Sequence, residues 1–133
     1  MEKTTILPNT EEYLQLRQAA GLSLRDEAYV EQALENSIYG VFLREKDQLV
    51  GMGRIIGDGG TAYQIVDIAV SPEYQGQGLG KIIMHELHKY IEQSIPKKAY
   101  ISLIADGNAK FIYIKFNFIE TAPDSVGMYY RRN

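Results

Sequence analysis

A glycine-rich run between a predicted strand and a predicted helix restricts the fold more than any other feature of the sequence. The run is Gln75-Gly76-Gln77-Gly78-Leu79-Gly80-Lys81, and eight of the 12 glycines lie between residues 51 and 80. The start of a helix offers unpaired N–H groups and the positive end of the helix dipole, and glycine lets those amides approach a ligand closely. Three alternating glycines ahead of an amphipathic helix therefore predict an anion-binding loop.

Two common phosphate-binding loops do not fit this run. A dinucleotide fingerprint needs a third glycine three residues after Gly78, where Lys81 stands. A Walker A loop needs Ser or Thr after its lysine, whereas Ile82 follows Lys81. The pattern that remains is Gln-x-x-Gly-x-Gly at 75–80, after an apolar strand and at the head of a helix.

The hydrophobic pattern on both sides of the loop predicts an α/β (α+β) fold in a single domain, residues 1–133. The predicted order is β-α-α-β-β-β-α-β-α-β-β, with about four helices on a mixed, mostly antiparallel sheet of six or seven strands. One parallel crossover joins strand 62–70 to strand 100–104 through the third helix. The predicted strands are 4–7, 39–44, 49–56, 62–70, 100–104, 118–120 and 127–131, and the predicted helices are 10–20, 24–36, 79–95 and 109–116.

Capping signals mark the first two helices. Asn9 and Glu12 have the spacing of a capping box, and Gly21 stands where the first helix would end. Ser23 with Asp26 repeats the signature ahead of the second helix.

A second motif lies downstream, where residues 108–118 read Asn-Ala-Lys-Phe-Ile-Tyr-Ile-Lys-Phe-Asn-Phe. With the loop at 75–80, this segment resembles the GCN5-related N-acetyltransferases, whose pattern here is N-A-x-x-L-Y-x-K-x-G-F. Asn117 replaces the glycine, and asparagine tolerates the left-handed backbone conformation that glycine would supply. The resemblance covers about residues 38–133, and the preceding residues fit the family's variable helical pair, which shapes the acceptor side.

The resemblance implies acetyl-CoA as the acyl donor. The pantetheine arm of the family's donor runs beside the fourth strand, where main-chain groups contact it, and the donor's pyrophosphate lies in the glycine loop. Asn108 resembles a CoA-contacting asparagine of the family, and it could also cap the helix after it. The implied donor-binding residues are Ile68, Ala69, Val70, Gln75, Gly76, Gln77, Gly78, Leu79, Gly80, Lys81 and Asn108.

Acetyl transfer from a thioester to an amine needs a neutral amine, stabilisation of an oxyanion and a proton for the departing thiolate. The sequence has no Cys and no G-x-S-x-G elbow, which favours direct attack by the amine over an acyl-enzyme. By the resemblance, Tyr113 is the general acid, and a phenol with a pKa of about 10 suits that task. The alternative is that Tyr113 packs in the core with others of the ten tyrosines.

The general base is left open by the sequence. Asp67, Glu73 and Gln64 are the polar candidates on or beside the fourth strand, and the amide of Gln64 cannot accept the proton. We name Asp67 as the catalytic candidate, although it could equally be a structural partner or an acceptor-binding charge. A water chain, or binding of the neutral fraction of the amine, would remove the need for a base.

The predicted acceptor is the primary amine of a small molecule, either an arylamine or a polyamine-like compound. Tyr29, Tyr39 and Tyr129 are candidates to stack on it or to attract an ammonium ion. A protein or peptide amine is one alternative acceptor. A non-catalytic acyl-CoA-binding or sensor module is the alternative to an enzyme.

Charge and composition restrict the other partners. The net charge of −3 disfavours nucleic-acid binding, and no apolar run approaches the roughly 20 residues of a membrane span, so we expect no membrane partner. The absence of Cys is compatible with the cytoplasm, which is the predicted location. His85 and His88 are spaced by three rather than four, so no metal is expected. A homodimer is left open.

Overall fold

The computed structural model describes residues 1–132, which form a five-stranded sheet and four α-helices. The strands are β1 (Glu2–Thr4), β2 (Tyr39–Glu45), β3 (Gln48–Gly57), β4 (Ala62–Val70) and β5 (Tyr100–Ser102). The helices are α1 (Thr10–Ala19), α2 (Val30–Glu35), α3 (Leu79–Ser94) and α4 (Lys110–Ile114). Within this described part of the chain, no helix combines the length and apolar character that crossing a bilayer requires.

The sheet is mixed, as predicted. Its strand order is β1-β2-β3-β4-β5, with antiparallel neighbours up to β4 and a parallel β4–β5 pair. Helix α3 makes the crossover between the two parallel strands, because parallel neighbours cannot be joined by a tight turn. The α+β class and the single parallel crossover are therefore confirmed.

The strand count is lower than predicted. Segments 118–120 and 127–131, which we expected as closing strands, are irregular, and β5 ends at Ser102. Ile119 is 87% exposed and Met128 is 90% exposed, so neither packs on a core. Phe118 packs against the core, but neither segment has the paired neighbour that stabilises a strand.

Each face of the sheet carries an apolar layer. The first layer lies under α3 and α4, and α3 buries Ile83, Met84 and Leu87 in it because they recur at helical spacing. The second layer lies under α1 and α2. Its buried residues are Tyr13, Leu16, Val30, Leu34, Phe42, Leu49, Met52 and Ala69.

The capping box at α1 is confirmed. The Glu12 amide donates to Asn9 Oδ1 at 2.9 Å, and the Asn9 amide donates to Glu12 Oε2 at 2.8 Å. Ahead of α2, Asp26 caps a 3₁₀ turn at Glu27–Tyr29 by accepting from the Ala28 amide at 3.0 Å. Asp26 is therefore the capping residue at this position, and the carbonyl of Ser23 instead accepts from a buried arginine.

A β-bulge interrupts β4 at its centre. Met52 pairs with Ala69 and Arg54 pairs with Val66, so Asp67 and Ile68 together oppose one residue of β3. Asp67 has a φ of 59°, in the left-handed region. Without the bulge, Ile65 and Ala69 would face the same side of the sheet. With the extra residue, Ile65 packs in the layer under α3 and Ala69 packs in the layer under α1.

The residue opposite the bulge, Gly53, has no room for a side chain. A Cβ there would lie 2.6 Å from Ile83 Cγ2, 2.8 Å from Ile68 Cδ1 and 3.1 Å from Leu87 Cδ1. Real Cβ atoms do not approach carbon this closely, so α3 rests directly on the β3 backbone at this point.

We expect Gly53→Ala to lower the free energy of unfolding by about 1–3 kcal/mol, because the added methyl forces α3 away from the sheet. The measurement is the urea unfolding midpoint followed by circular dichroism. Gly60→Ala is the matched control, because the nearest atom to its Cβ is Asp58 Oδ1 at 3.7 Å, and it should change stability by about 0.5 kcal/mol or less. Equal midpoints for the two variants would contradict this packing.

Candidate active site

A cleft opens where β4 and β5 separate. The two strands pair only from Ala62–Tyr100 to Gln64–Ser102, and β4 then continues to Val70 paired with β3 but not with β5. The bulge at Asp67 and Ile68 lies just beyond this point, and an extra residue in one strand increases its twist. The resulting cavity has a volume of about 520 Å³. Its lining comes from α1 and the loop after it, from β4 and from the segment leading into α4: Arg17, Ala20, Gly21, Leu22, Ser23, Arg25, Gln64, Ile65, Val66, Asp67, Ile68, Leu103, Ile104, Asp106, Ala109 and Tyr113.

The second half of β4 borders this cleft with no strand on its β5 side, while its other edge pairs with β3. Ile68 lines the cavity, while Ala69 is buried under α1 and Val70 packs towards α3. A strand edge of this kind presents backbone N–H and C=O groups to an extended ligand. The arrangement suits the predicted contact between the backbone of Ile68, Ala69 and Val70 and the pantetheine arm of the donor. That contact stays a prediction.

The glycine loop adopts the conformation that its sequence requires. Gly76 has a φ of 81° and Gly78 has a φ of 83°, both in the left-handed region that side chains disfavour. Gly78 is the N-cap residue of α3, and no side chain caps the helix there. The first amides of α3 are therefore available to a ligand, while Leu79 anchors the turn in the core at 5% exposure.

The loop fits the pyrophosphate of CoA in its chemistry. α3 is 16 residues long and has no acidic residue in its first turn, so the positive end of its dipole is not neutralised locally. Lys81 is exposed in that turn, and Gln77 is exposed in the loop. An ideal Cβ built on Gly80 would lie 3.7 Å from Ile112 Cδ1, so α4 packs beside the loop. An anion held here would meet amides, a helix dipole and an ammonium group.

Gln75 fixes the position of the loop. Its Nε2 donates to the carbonyl of Val70 at 3.0 Å, which ties the loop to the end of β4. This contact gives Gln75 a structural role in addition to the binding role predicted from the resemblance.

Tyr113 lies in the cleft wall on α4 and is 8% exposed. Burial raises the pKa of its hydroxyl above the usual value, and the negative charge of Asp106 raises this pKa further. The phenol therefore stays protonated at neutral and mildly alkaline pH, as a general acid must. Asn117 has a φ of 72°, the left-handed conformation expected where the family pattern has glycine.

Asp67 lies at the centre of a buried ion cluster. Its Oδ2 accepts from the Tyr13 hydroxyl at 2.6 Å and from Arg54 Nε at 2.7 Å, and its Oδ1 accepts from Arg17 Nη1. Among residues 1–132, the charged side chains that are buried are Arg17, Arg54 and Asp67. Because both carboxylate oxygens are engaged, the geometry favours the structural partner among the roles considered for Asp67. It argues against the predicted catalytic role.

The two arginines connect the cluster to the loop after α1 and to the end of α2. Arg17 Nη2 donates to the Ser23 carbonyl at 2.8 Å, and Arg54 Nη1 donates to Ser37 Oγ at 2.8 Å and to the Ala33 carbonyl at 3.2 Å. The loop after α1 and the end of α2 are thereby fixed to β3 and β4. Sequence reasoning missed both arginines, although Arg17 shares the buried stripe of α1 with Tyr13 and Leu16.

Several other candidates lie outside the cleft. Tyr39 stacks on Tyr90 with ring centroids 4.3 Å apart, and Tyr29 and Tyr129 are 63% and 85% exposed. The three tyrosines predicted to contact the acceptor are thus not brought together. Glu73 borders a separate surface cavity, whereas Gln64 does line the cleft.

Asn108 is exposed in the 3₁₀ turn Gly107–Ala109, and no side chain caps that turn or α4. The alternative of Asn108 as an N-cap is therefore not observed, and its contact with CoA stays a prediction. In residues 1–132, no group of three or more His, Asp or Glu side chains is arranged to hold a metal ion.

Comparison with known proteins identifies the family. The family model for the acetyltransferase (GNAT) domain matches residues 10–128. A relative from Porphyra purpurea, named "Uncharacterized N-acetyltransferase ycf52", is 35% identical over 127 residues, or 92% of this chain and 71% of the relative. The chain belongs to the GCN5-related N-acetyltransferase family and is an acetyltransferase.

Solved structures agree with this assignment. The crystal structure of protein SA2161 from meticillin-resistant Staphylococcus aureus superimposes with a TM-score of 0.93 at 47% identity, covering 98% of each chain. An aminoglycoside 6'-N-acetyltransferase complexed with coenzyme A shares the fold with a TM-score of 0.58 at 17% identity, covering 69% of this chain and 56% of that one.

We expect Asp67→Asn to lower the free energy of unfolding by about 3–5 kcal/mol, because it leaves two buried guanidinium groups without a counter-charge. Asparagine accepts the left-handed conformation of residue 67, so the backbone is not the cause. Chemical denaturation measures the loss.

Lys3→Gln removes one partner of the exposed Lys3–Glu86 pair and serves as the control, with an expected loss below about 1 kcal/mol. An Asp67→Asn protein with unchanged stability and abolished turnover would instead assign Asp67 as the base.

Proposed function

We propose that the chain transfers the acetyl group of acetyl-CoA directly to the primary amine of a small molecule. The observation that carries the proposal is the cleft between β4 and β5, which has Tyr113 on one wall and the unpaired edge of β4 on the other. The glycine loop follows the end of β4 at which this cleft opens. β4 thus connects a cleft with a strand edge and a buried phenol to a loop that is suited to an anion.

Acetyl-CoA would be held mostly by main-chain groups. The amides at the start of α3, with Lys81, are suited to the pyrophosphate, and the β4 edge at 68–70 is suited to the pantetheine amides. Acetyl-CoA supplies an activated thioester, whose carbonyl oxygen gains negative charge when an amine attacks. A backbone N–H of the β4 edge is the donor available to that oxygen.

The residues of the cleft support direct transfer rather than an acyl-enzyme. The chain has no cysteine to form a thioester with the acetyl group. Tyr113 would donate its proton to the departing sulfur. Since both oxygens of Asp67 already accept hydrogen bonds and Gln64 cannot accept a proton, we propose that the amine either enters in its neutral form or loses its proton to water.

The lining of the cleft favours an arylamine over a polyamine-like acceptor. Its charges balance, with Arg17 and Arg25 against Asp67 and Asp106, so a polycation finds no excess of acid. Leu22, Ile68 and other apolar groups on the wall suit an aromatic ring. A protein amine remains the alternative acceptor. Cytoplasmic location and the absence of nucleic-acid and membrane partners stay predictions.

We expect Tyr113→Phe to lower kcat/KM about 100-fold to 10,000-fold, because the departing thiolate loses its proton donor. Amine-dependent release of free CoA thiol, followed across a panel of arylamines and polyamines, measures the effect. Tyr90→Phe is the matched control, since Tyr90 stacks on Tyr39. Tight CoA binding without turnover on any amine would favour the sensor module instead.

The pH profile gives a second test of Tyr113. A general acid works in its protonated form, so kcat/KM should fall at alkaline pH as Tyr113 loses its proton. Because the pKa of Tyr113 is raised, this fall should be centred above the usual tyrosine pKa of about 10. Asp106→Asn removes a negative charge that raises this pKa, so the fall should move to lower pH. A fall that stays in place in Asp106→Asn would contradict the assignment.

A further inference from the structure

Arg25 is a charged residue of the cleft that neither the buried ion cluster nor the proposed reaction uses. It lies on the loop after α1 and lines the same cavity as Tyr113. The arginines of α1, β2 and β3 each pair with a carboxylate, whereas Arg25 forms no ion pair with any of residues 1–132. The cleft therefore contains a guanidinium group whose positive charge is not compensated by a direct partner.

Neutral groups hold this guanidinium in place. Arg25 Nη1 donates to Ser23 Oγ at 2.7 Å and to the Leu24 carbonyl at 3.2 Å. Ser23 is itself tied to the buried cluster, because its carbonyl accepts from Arg17 Nη2 at 2.8 Å and Arg17 pairs with Asp67. Both bonds of Arg25 use Nη1, which leaves Nε and Nη2 to donate to a ligand. Two donors on one edge of a guanidinium match the two oxygens of a carboxylate.

The wall that carries Arg25 has an excess of positive charge. The buried cluster sets two guanidinium groups against the one carboxylate of Asp67, which leaves one positive charge in addition to that of Arg25. Two acidic residues follow Arg25 in the sequence, Asp26 and Glu27, but neither lines the cavity. Asp26 Oδ1 instead accepts from the Ala28 amide. This wall of the cleft is therefore suited to an anionic group.

The negative charge of the cleft lies beside Tyr113. Asp106 lines the cavity just before the 3₁₀ turn that leads into α4, the helix that carries Tyr113. It has no ion-pair partner within the part of the chain that the structure describes, and its charge raises the pKa of the Tyr113 hydroxyl. An anionic group on a ligand is thus repelled from the wall of Tyr113 and attracted to the wall of Arg25.

We propose that the acceptor amine carries a carboxylate and that Arg25 binds this carboxylate. The inference rests on the proposed function, because it names the acceptor of the same cleft. With its carboxylate at Arg25, the acceptor presents its amine towards the wall of Tyr113, where the thioester would react. The apolar lining suits the ring between the two ends, so the substrate class is an arylamine with an acidic substituent, such as an aminobenzoate.

Calorimetry on the protein saturated with CoA tests the carboxylate site without turnover. The probes are para-aminobenzoate and meta-aminobenzoate, and each is compared with its neutral amide, which keeps the ring and the amine. We expect at least one carboxylate to bind about 10-fold to 100-fold more tightly than its amide, because bonds from a guanidinium to a carboxylate are charge-assisted. Equal dissociation constants within each pair, or no measurable binding of either carboxylate, would overturn the proposal.

Variants of Arg25 identify the group responsible. Arg25→Gln should abolish the preference for the carboxylate over the amide, and Arg25→Lys, which keeps the charge but not the fork, should retain part of it. Lys97→Gln is the matched control, because it removes the same charge from an exposed position outside the cleft and should keep the full preference. Arg25 is exposed, so its variants should unfold at the wild-type urea midpoint. A preference that survives in Arg25→Gln sinks the proposal.

Steady-state kinetics separate this inference from the proposed function. With the preferred aminobenzoate, Arg25→Gln should raise the KM of the acceptor about 10-fold to 100-fold and leave the KM of acetyl-CoA unchanged. A rise in the KM of acetyl-CoA instead would assign Arg25 to the donor and refute the inference. Turnover of arylamines without preference for a carboxylate refutes the inference and leaves the proposed function intact. Carboxylate binding that depends on Arg25, with no turnover of any amine, supports the site and refutes the proposed function.

Discussion

The buried carboxylate of Asp67 is the point on which the geometry of the cleft depends. It stands at the bulge of β4, and its oxygens accept from α1 through Tyr13 and Arg17 and from β3 through Arg54. An unpaired carboxylate at this depth would be strongly destabilising, and so would either arginine alone. The bulge, the helical pair and the cleft wall are therefore mutually dependent, and β4 leaves β5 at the place where this cluster holds it.

Close backbone packing supports the same arrangement from the other face. Gly53 lets α3 rest against the bulged part of the sheet, so the helix whose first turn follows the glycine loop is fixed relative to the cleft. Gly76 and Gly78 supply the left-handed conformations that begin α3 at the end of β4. Positions without side chains thus determine where the predicted anion-binding loop lies relative to Tyr113.

Sequence reasoning succeeded where the determinants are local. The capping box at Asn9, the left-handed Asn117 and the loop at 75–80 each follow from a few neighbouring residues. The role of Asp67 does not, because its partners lie 54, 50 and 13 residues away and no local pattern shows that they converge. The prediction of closing strands failed for a related reason. The residues Met128, Tyr129 and Tyr130 favour a strand, but the sequence does not show whether a neighbouring strand is present to pair with it.

The cluster around Asp67 also has a consequence for folding kinetics. Its hydrogen bonds join residues far apart in sequence, and long loops must close before such contacts form. The local elements, α3 and the β2–β3 hairpin, can form before α1 docks on the sheet. The side of the cleft that α1 forms would then be assembled late, so a chain stalled before that docking would keep the glycine loop and still lack the cleft in which we propose that the amine meets the donor.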